Sequence, residues 1–350
     1  MRNSWDWLLF SQILAIGAIS LLIISSINKD LALNQLFFWF IGLLILFLTS
    51  QINYRNWLSL TKILYIVSLI FLISLFIVGT PIRGSVRWIE LGIFRVQPAE
   101  LAKAASILAL ANFYLHNSAK QINSLIKSFV IILPLIILIF FQPDIGNTFA
   151  FFAIWLGISF TAGLKLKHLT IIILATVLSF VLFYEMLAPY QKERISGFFN
   201  LSQDPLNTGY NLIQSKIAIG SGLIFGKGYG HGTQSQLNFL PEAESDFIFA
   251  SIAEQLGFLG ASMLLILFSW LILKMVNRIS QLDRFGQLIS VGIICYFTIQ
   301  FLVNVGMNLG LMPVTGITFP LVSYGGSSLI TNLFLLGITF SVYRNSRITN

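Results

Sequence analysis

The chain has 350 residues, of which 56% are hydrophobic and only 10% charged, with a mean hydropathy of +0.85. A soluble domain carries about 25% charged residues, so composition alone excludes one and points to a polytopic membrane protein. The formal net charge of +8 would suit nucleic acid, but basic loops in a membrane chain serve orientation, and nucleic acid is not an expected partner.

Apolar runs long enough to span, at about 20 residues each, begin with Trp7–Ile27 and the shorter Leu36–Thr49. They continue with Ile63–Val78, Ala99–Leu115, Phe129–Phe141, Thr148–Ala162, Leu169–Leu187, Phe247–Met275, Leu288–Val305 and Leu329–Val342, making ten candidates. The first is not a cleavable signal: its basic start is a single Arg2 partly offset by Asp6, and no small-residue cleavage site follows. The expected fold is therefore all-α, one polytopic membrane domain over residues 1–350 with about ten transmembrane helices. The longest polar interval is too broken by glycine to hold a soluble core of its own. It becomes a long extracytoplasmic loop at 188–246, between helices 7 and 8.

An even number of crossings puts both termini on one face. That face collects Arg2, Arg55, Lys62, Lys120, Lys127, Lys165, Lys167, Lys274, Arg278, Arg284, Arg344 and Arg347, against only Asp6 and Asp283, and is expected to be cytoplasmic. Nearly all the carboxylates then lie outside. Arg87 and Lys103 fall close to or within a membrane segment, where charge is costly and function is the default explanation; the alternative is an internal ion pair that locks helices.

Four outer segments read as site. The first runs from Gly84 to Gly92 (GSVRWIELG) and through Gln97-Pro98-Ala99-Glu100 to Lys103. Pro98 starts a helix, which sets Glu100 and Lys103 three apart on one face of its first turn, while Trp88 and Phe94 suit an interfacial belt as well as a site. The second, Gln142-Pro143-Asp144-Ile145-Gly146-Asn147, breaks two apolar runs. Asp144 reads first as an N-cap of the helix beginning near Thr148 and second as site support.

The third is the long loop. Tyr190–Arg194 reads as an interfacial amphipathic piece, Asp204-Pro205 to Asn211 as a turn, and Gln214 and Lys216 open a glycine-rich stretch, GSGLIFGKGYGHGTQSQLNFLPEAESDFIF, over 220–249. Its spacing does not match a phosphate-binding P-loop, because Gly228 follows Lys227 where Ser or Thr is needed. The stretch ends in the carboxylates Glu242, Glu244 and Asp246 at the mouth of an apolar run, which makes it the first candidate site. His231 reads as a turn residue and Glu242 as structural, for instance a helix cap. The fourth segment, Asn304–Ser328, is too rich in glycine, proline and polar residues for a plain helix. Irregular backbone at membrane depth survives only where it is buried or lines a wet cavity, so it is expected to face the acidic stretch.

No intramolecular disulfide is available to the single Cys295, and the three scattered histidines, His116, His168 and His231, make no Cys/His metal site.

Taken together, GSVRWIELG with QPAE and Lys103, QPDIG, GTQSQLNFLPEAESDFIF and GMNLGLMPVTGITFPLVSYGGSS resemble, in order and nearly letter for letter, the shape, elongation, division and sporulation family of cell-wall polymerases. The HGTQSQL and GMNLG runs are more like its rod-shape branch than its division branch. Ser245 departs from the threonine usual in the family, Glu244 from a common histidine and Ala99 from a serine, and none of these removes an ionisable group on which the expected mechanism relies.

The resemblance implies a ten-helix membrane glycosyltransferase that polymerises lipid II, working with a class B penicillin-binding protein and other elongation-complex membrane proteins. It implies that Asp246, after the LPE run, is the essential aspartate, serving as general base toward the acceptor sugar hydroxyl. Arg87, Lys103 and Lys216 are candidates for the departing pyrophosphate, with Glu100 and Lys103 alternatively orienting Asp246. Trp88, Gln97, Asp144, Gln234, Glu242 and Ser323 are carried as substrate-binding or site-supporting. A divalent cation, Mg2+ or Mn2+, is expected at the pyrophosphate, with no nucleotide or organic cofactor. Two rival classes share these features, a lipid II flippase and a silent scaffold for the penicillin-binding protein.

Overall fold

The computed structural model describes residues 5–82, 85–91, 94–183, 192 and 209–345. A helix stands at each of the ten apolar runs. In chain order these are α1 (Trp7–Ile27), α2 (Lys29–Gln51), α3 (Trp57–Val78), α4 (Pro98–His116), α5 (Ile122–Phe141), α6 (Ile145–Thr161) and α7 (Leu166–Phe183), followed, after two short helices, by α10 (Ile248–Val276), α11 (Arg284–Leu309) and α12 (Gly326–Asn345). The two short helices are α8 (Tyr210–Ser221) and α9 (Thr233–Gln236). Among the described residues seven helical segments are long and apolar enough to cross a membrane. Large apolar side chains such as Leu33, Phe40, Ile77 and Phe258 point outward and exposed, as suits a lipid-facing surface.

At the centre lies α4, packed against α3, α6 and α11. Every residue from Ala102 to Ala111 is buried. Five of those ten are alanine, and such small side chains let neighbouring helices approach closely where lipid supplies no hydrophobic drive. Into this core α4 carries Glu100 and Lys103, so both charges are buried.

Two segments differ from the sequence expectation. The first outer loop is an antiparallel sheet of β1 (Thr80–Ile82), β2 (Ser85–Leu91) and β3 (Phe94–Val96), in that order. Its register sets Thr80 opposite Trp88, and Ile89 and Glu90 opposite Val96 and Arg95. Alternation along β2 puts Arg87 and Ile89 on one face and Trp88 and Glu90 on the other. Ile89 packs with Leu72, Ala99, Leu135 and Phe151, so the Arg87 face is the one turned to the bundle. The exposed partner face carries the Arg95–Glu90 pair at 3.2 Å, which contributes little at the surface.

The second difference is α8, which is helical from Tyr210, where a turn was expected to reach Asn211. Its buried residues Leu212, Ser215 and Ala218 recur every three positions, one face of a short helix. The amphipathic piece expected at Tyr190–Arg194 lies, apart from Lys192, outside the described residues, as does the first part of the 188–246 loop.

One end of the bundle is held by its two acids. Asp6 caps α1 by accepting from the Leu9 N–H at 3.0 Å and pairs with Lys274 Nζ at 2.6 Å and with Arg278. Asp283 caps α11 and accepts from Tyr54 Oη at 2.6 Å and Arg55 Nη2 at 2.9 Å. Burial pushes the Asp6 carboxyl up, but the Lys274 and Leu9 hydrogen bonds and the Arg278 and Lys274 charges outweigh it, leaving it below the ordinary 3.8. A lowered carboxyl stabilises the fold above its unfolded value and loses that contribution as pH falls through the folded one. Asp6→Asn is expected to cost about 1–2 kcal/mol at pH 7, reduced from a fully buried pair because Arg278 is partly solvated. Thermal unfolding in detergent should show the gap between variant and parent closing below pH 3.8.

Candidate functional site

The glycine-rich stretch divides into two parts with different work. Its first half, 222–236, is a clasp on α10. That helix is broken at Gly257 (φ 68°, ψ −168°), and the loop backbone docks at the break: Lys227 N–H donates to Glu254 O (2.9 Å), Gly228 N–H to Gln255 O (3.0 Å), and Phe258 N–H back to Leu223 O (2.8 Å). A Cβ on Gly226 would sit 2.1 Å from the Gln255 carbonyl oxygen, so only glycine permits the approach.

The clasp closes on Glu254, which is fully buried. This carboxylate accepts from Lys227 Nζ (2.9 Å), the N–H of Gln234 (2.9 Å), and both the N–H (3.1 Å) and Oγ (2.9 Å) of Ser235. Gln234 is thus tied into the clasp through its backbone. Sequence reading passed over Glu254, although a lone carboxylate nine residues from Ser245 inside an apolar run was the available signal.

The second half carries the carboxylates to the head of α10. Three successive carbonyls of the turn are taken by other elements. Glu244 O accepts from the Tyr324 N–H at 2.8 Å, Ser245 O from Ser323 Oγ at 2.6 Å, and Asp246 O from the side-chain amides of Asn304 and Asn308, each at 3.0 Å. Glu242, at φ 55°, accepts from Ser245 Oγ at 2.7 Å, and its carbonyl receives the N–H groups of Ser245 and Phe247 at 3.1 Å. The N-cap of α10 is Phe247, which makes no side-chain cap. Glu242 therefore shapes the turn before the helix through these bonds.

The opposing wall is a chain of charged and amide groups leading out from the core. Lys103, with no exposed surface, donates to Glu100 Oε1 at 2.8 Å and Asn147 Oδ1 at 2.9 Å and lies over the Tyr296 ring at 5.1 Å. Glu100 Oε2 accepts from Tyr296 Oη at 3.0 Å. Asn147 in turn donates from Nδ2 to Asp144 Oδ2 at 2.8 Å. Asp144 caps α6 by accepting from the Asn147 N–H, and it also lies 3.7 Å from Arg87 Nε. Asp144 is thus the N-cap, and the same carboxylate flanks Arg87. Arg87 Nη2 donates to the Pro143 carbonyl.

The two walls meet at Gly316. A Cβ built there would lie 3.4 Å from Asp246 Oδ2 and 3.8 Å from Arg87 Nη1. The carboxylate and the guanidinium therefore face one point, at a glycine with φ 74° in the irregular 310–325 segment.

Gln97 is buried at the start of α4, its N–H bonded to Ser327 Oγ at 3.1 Å. Lys216 is exposed and rests on Gly310, with its amine where a Cβ would come within 2.6 Å; Gly310 ends α11, where a cation complements the helix dipole. Trp88 points from the face of β2 opposite Arg87. Lys103 is fully buried, and its bonds lead through Asn147 and Asp144 toward Arg87. No group of three or more His, Cys, Asp or Glu side chains suited to a metal ion occurs among the described residues.

Comparison with known proteins adds to this geometry. The profile of the cell cycle protein family FtsW/RodA/SpoVE matches residues 5–348. The chain is 37% identical to stage V sporulation protein E of Bacillus subtilis, covering 90% of this chain and 87% of that one, and 37% identical to the peptidoglycan glycosyltransferase MrdB of Escherichia coli K12, covering 87% and 84%. Its fold matches the crystal structure of the Thermus thermophilus rod shape determining protein RodA with a TM-score of 0.74 at 29% identity over 98% of both chains. A chain from a peptidoglycan synthase complex, solved for how polymerization and crosslinking are coordinated, matches with a TM-score of 0.86 at 31% identity over 97% of this chain and 98% of that one. With the profile match running nearly end to end, the chain belongs to the FtsW/RodA/SpoVE family, the shape, elongation, division and sporulation proteins that its four polar segments resemble.

Proposed function

We propose that this protein is a peptidoglycan glycosyltransferase that polymerises lipid II into glycan strands during cell elongation. The observation that carries the reading is the convergence of Asp246 Oδ2 and Arg87 Nη1 on Gly316, a base and a cation aimed at one point. In the proposed reaction the Asp246 carboxylate takes the proton of the acceptor N-acetylglucosamine hydroxyl as that oxygen attacks the donor's anomeric carbon. The bond from that carbon to the pyrophosphate breaks, and undecaprenyl pyrophosphate leaves with the electron pair. Attack from the opposite face inverts the anomeric centre, and one carboxylate suffices because the leaving group needs no protonation.

Arg87 is the cation for the pyrophosphate: its Nη2 donates to the Pro143 carbonyl, its Nε lies 3.7 Å from Asp144, and its Nη1 faces Gly316. Lys216, exposed at the end of α11, is a second cation for the same charge. Magnesium or manganese would be held chiefly by substrate phosphate oxygens, since such an ion commonly takes few protein carboxylates. Bound there, it would neutralise pyrophosphate charge.

The membrane would be the cytoplasmic one, crossed ten times with both termini inside and the site outside, as the basic loops favour. The partner would be a class B penicillin-binding protein within an elongation complex. The HGTQSQL and GMNLG runs favour the rod-shape branch. The test is purified protein with lipid II and Mg2+ or Mn2+ in detergent, where glycan polymer cannot arise from transport. Polymer that disappears with EDTA and returns with added metal is the expected result; folded protein that makes none, with metal and the partner transpeptidase present, would overturn the reading.

A further inference from the structure

Asn304 and Asn308 stand one turn apart on α11, both without exposed surface. Neither touches the Asp246 carboxylate in its hydrogen bonds; both hold that residue's backbone. Asn304 Nδ2 donates to Asp246 O at 3.0 Å and to Ile317 O at 2.8 Å. One amide thus ties the residue bearing the carboxylate to the residue that follows Gly316, where the Arg87 guanidinium converges. Asn308 Nδ2 donates to Asp246 O at 3.0 Å, and its Oδ1 accepts the Ala250 N–H at 3.1 Å, which locks the same peptide onto the first turn of α10. The carbonyl of Asn308 is itself held by Ser215 Oγ at 2.8 Å.

We propose that Asn304 and Asn308 form an amide clamp that sets where the Asp246 carboxylate stands relative to Arg87, and so act as positioning residues for glycosyl transfer. The inference rests on Asp246 being the base. Two features favour positioning over general stability. The clamp uses both hydrogens of Asn304 Nδ2 on the two backbone strands that meet at Gly316. Those strands are also held elsewhere, at Ser245 by Ser323 and at Glu244 by Tyr324, so losing one amide shifts the carboxylate without releasing the turn. A displacement of about 1 Å in a reacting group costs on the order of 100-fold in rate.

The experiment compares Asn304→Leu and Asn304→Asp with the parent in lipid II polymerisation. Leucine keeps the size and removes every donor. Aspartate keeps the shape and replaces the donating amide nitrogen with an acceptor oxygen. The expected result is a kcat lowered about 10- to 100-fold in both variants at neutral pH, with KM for lipid II within about twofold. Asn308→Leu should lower kcat in the same way and serves where Asn304→Leu fails to fold.

A kcat within twofold of the parent, or a loss that tracks only the fraction of folded protein, would overturn the clamp. Asp246→Asn, run in parallel, separates the two ideas. If it polymerises normally, the base assignment fails whatever the asparagine variants do; if it is inactive while both Asn304 variants work at the parent rate, only the clamp fails.

Discussion

Asp246→Asn is expected to abolish polymerisation, with kcat lowered by about 1,000-fold or more, at the upper end of what a positioned general base contributes. Asparagine has the shape of aspartate but no basic oxygen to receive the acceptor's proton. The turn should survive, because bonds to the backbone carbonyls of Glu244, Ser245 and Asp246 anchor it and the substitution leaves those carbonyls in place. Membrane insertion, thermal midpoint and binding of the penicillin-binding protein should therefore match the parent, and lipid II binding should change little.

That separation also tests the rival functions. A scaffold would lose nothing on this substitution, and a flippase would make no polymer before or after it. Asp246→Glu retains a base but moves it outward by one methylene, so partial activity is expected. Polymer from Asp246→Asn at the parent rate would move the base elsewhere, with Glu244 the next carboxylate in line.

Much of this arrangement was legible in the residues. Ten apolar runs announced ten helices because a lipid-facing helix needs an uninterrupted apolar stretch. The four polar segments announced the site for the converse reason, since polar irregular backbone among such helices has to be accounted for by a cavity or a ligand. What stayed hidden depends on elements brought together from afar.

The pairing of Glu100 with Lys103 follows from helical spacing. That Asn147 stands between Lys103 and Asp144 follows only from how α4 packs on α6. The clasp was equally hidden, since Lys227 and Glu254 belong to different segments and the glycines that let their backbones touch look like any flexible loop. The sheet at Arg87 was written in the alternation of Ser85–Leu91, but a single short strand between membrane segments carries too little pattern to distinguish it from a loop. Asn304 and Asn308 lay inside a segment already marked as site, and nothing in the sequence showed that their amides hold the backbone of Asp246.

The second large effect concerns the buried pair. Lys103→Met should destabilise the protein by about 3–5 kcal/mol, because it strands the Glu100 carboxylate in a site with almost no solvent contact. Glu100→Gln alone should cost less, since the Lys103 ammonium keeps Asn147 and the Tyr296 ring as partners. The double variant Glu100→Gln/Lys103→Met removes both charges, and replacing a buried pair by uncharged groups of similar size is often nearly neutral. Its thermal midpoint should return most of the way to that of the parent.

Activity should not return with it. Without the Lys103 ammonium, Asn147 Oδ1 loses the partner that turns its Nδ2 toward Asp144, and Asp144 is the carboxylate that flanks Arg87. The guanidinium is then free to rotate away from the point it shares with Asp246. A double variant that is stable but slow in polymerisation, with lipid II still bound, would place the pair in the positioning of Arg87. One that is stable and polymerises like the parent would reduce Glu100 and Lys103 to a lock between helices, and the charge network behind the site would have no part in the chemistry.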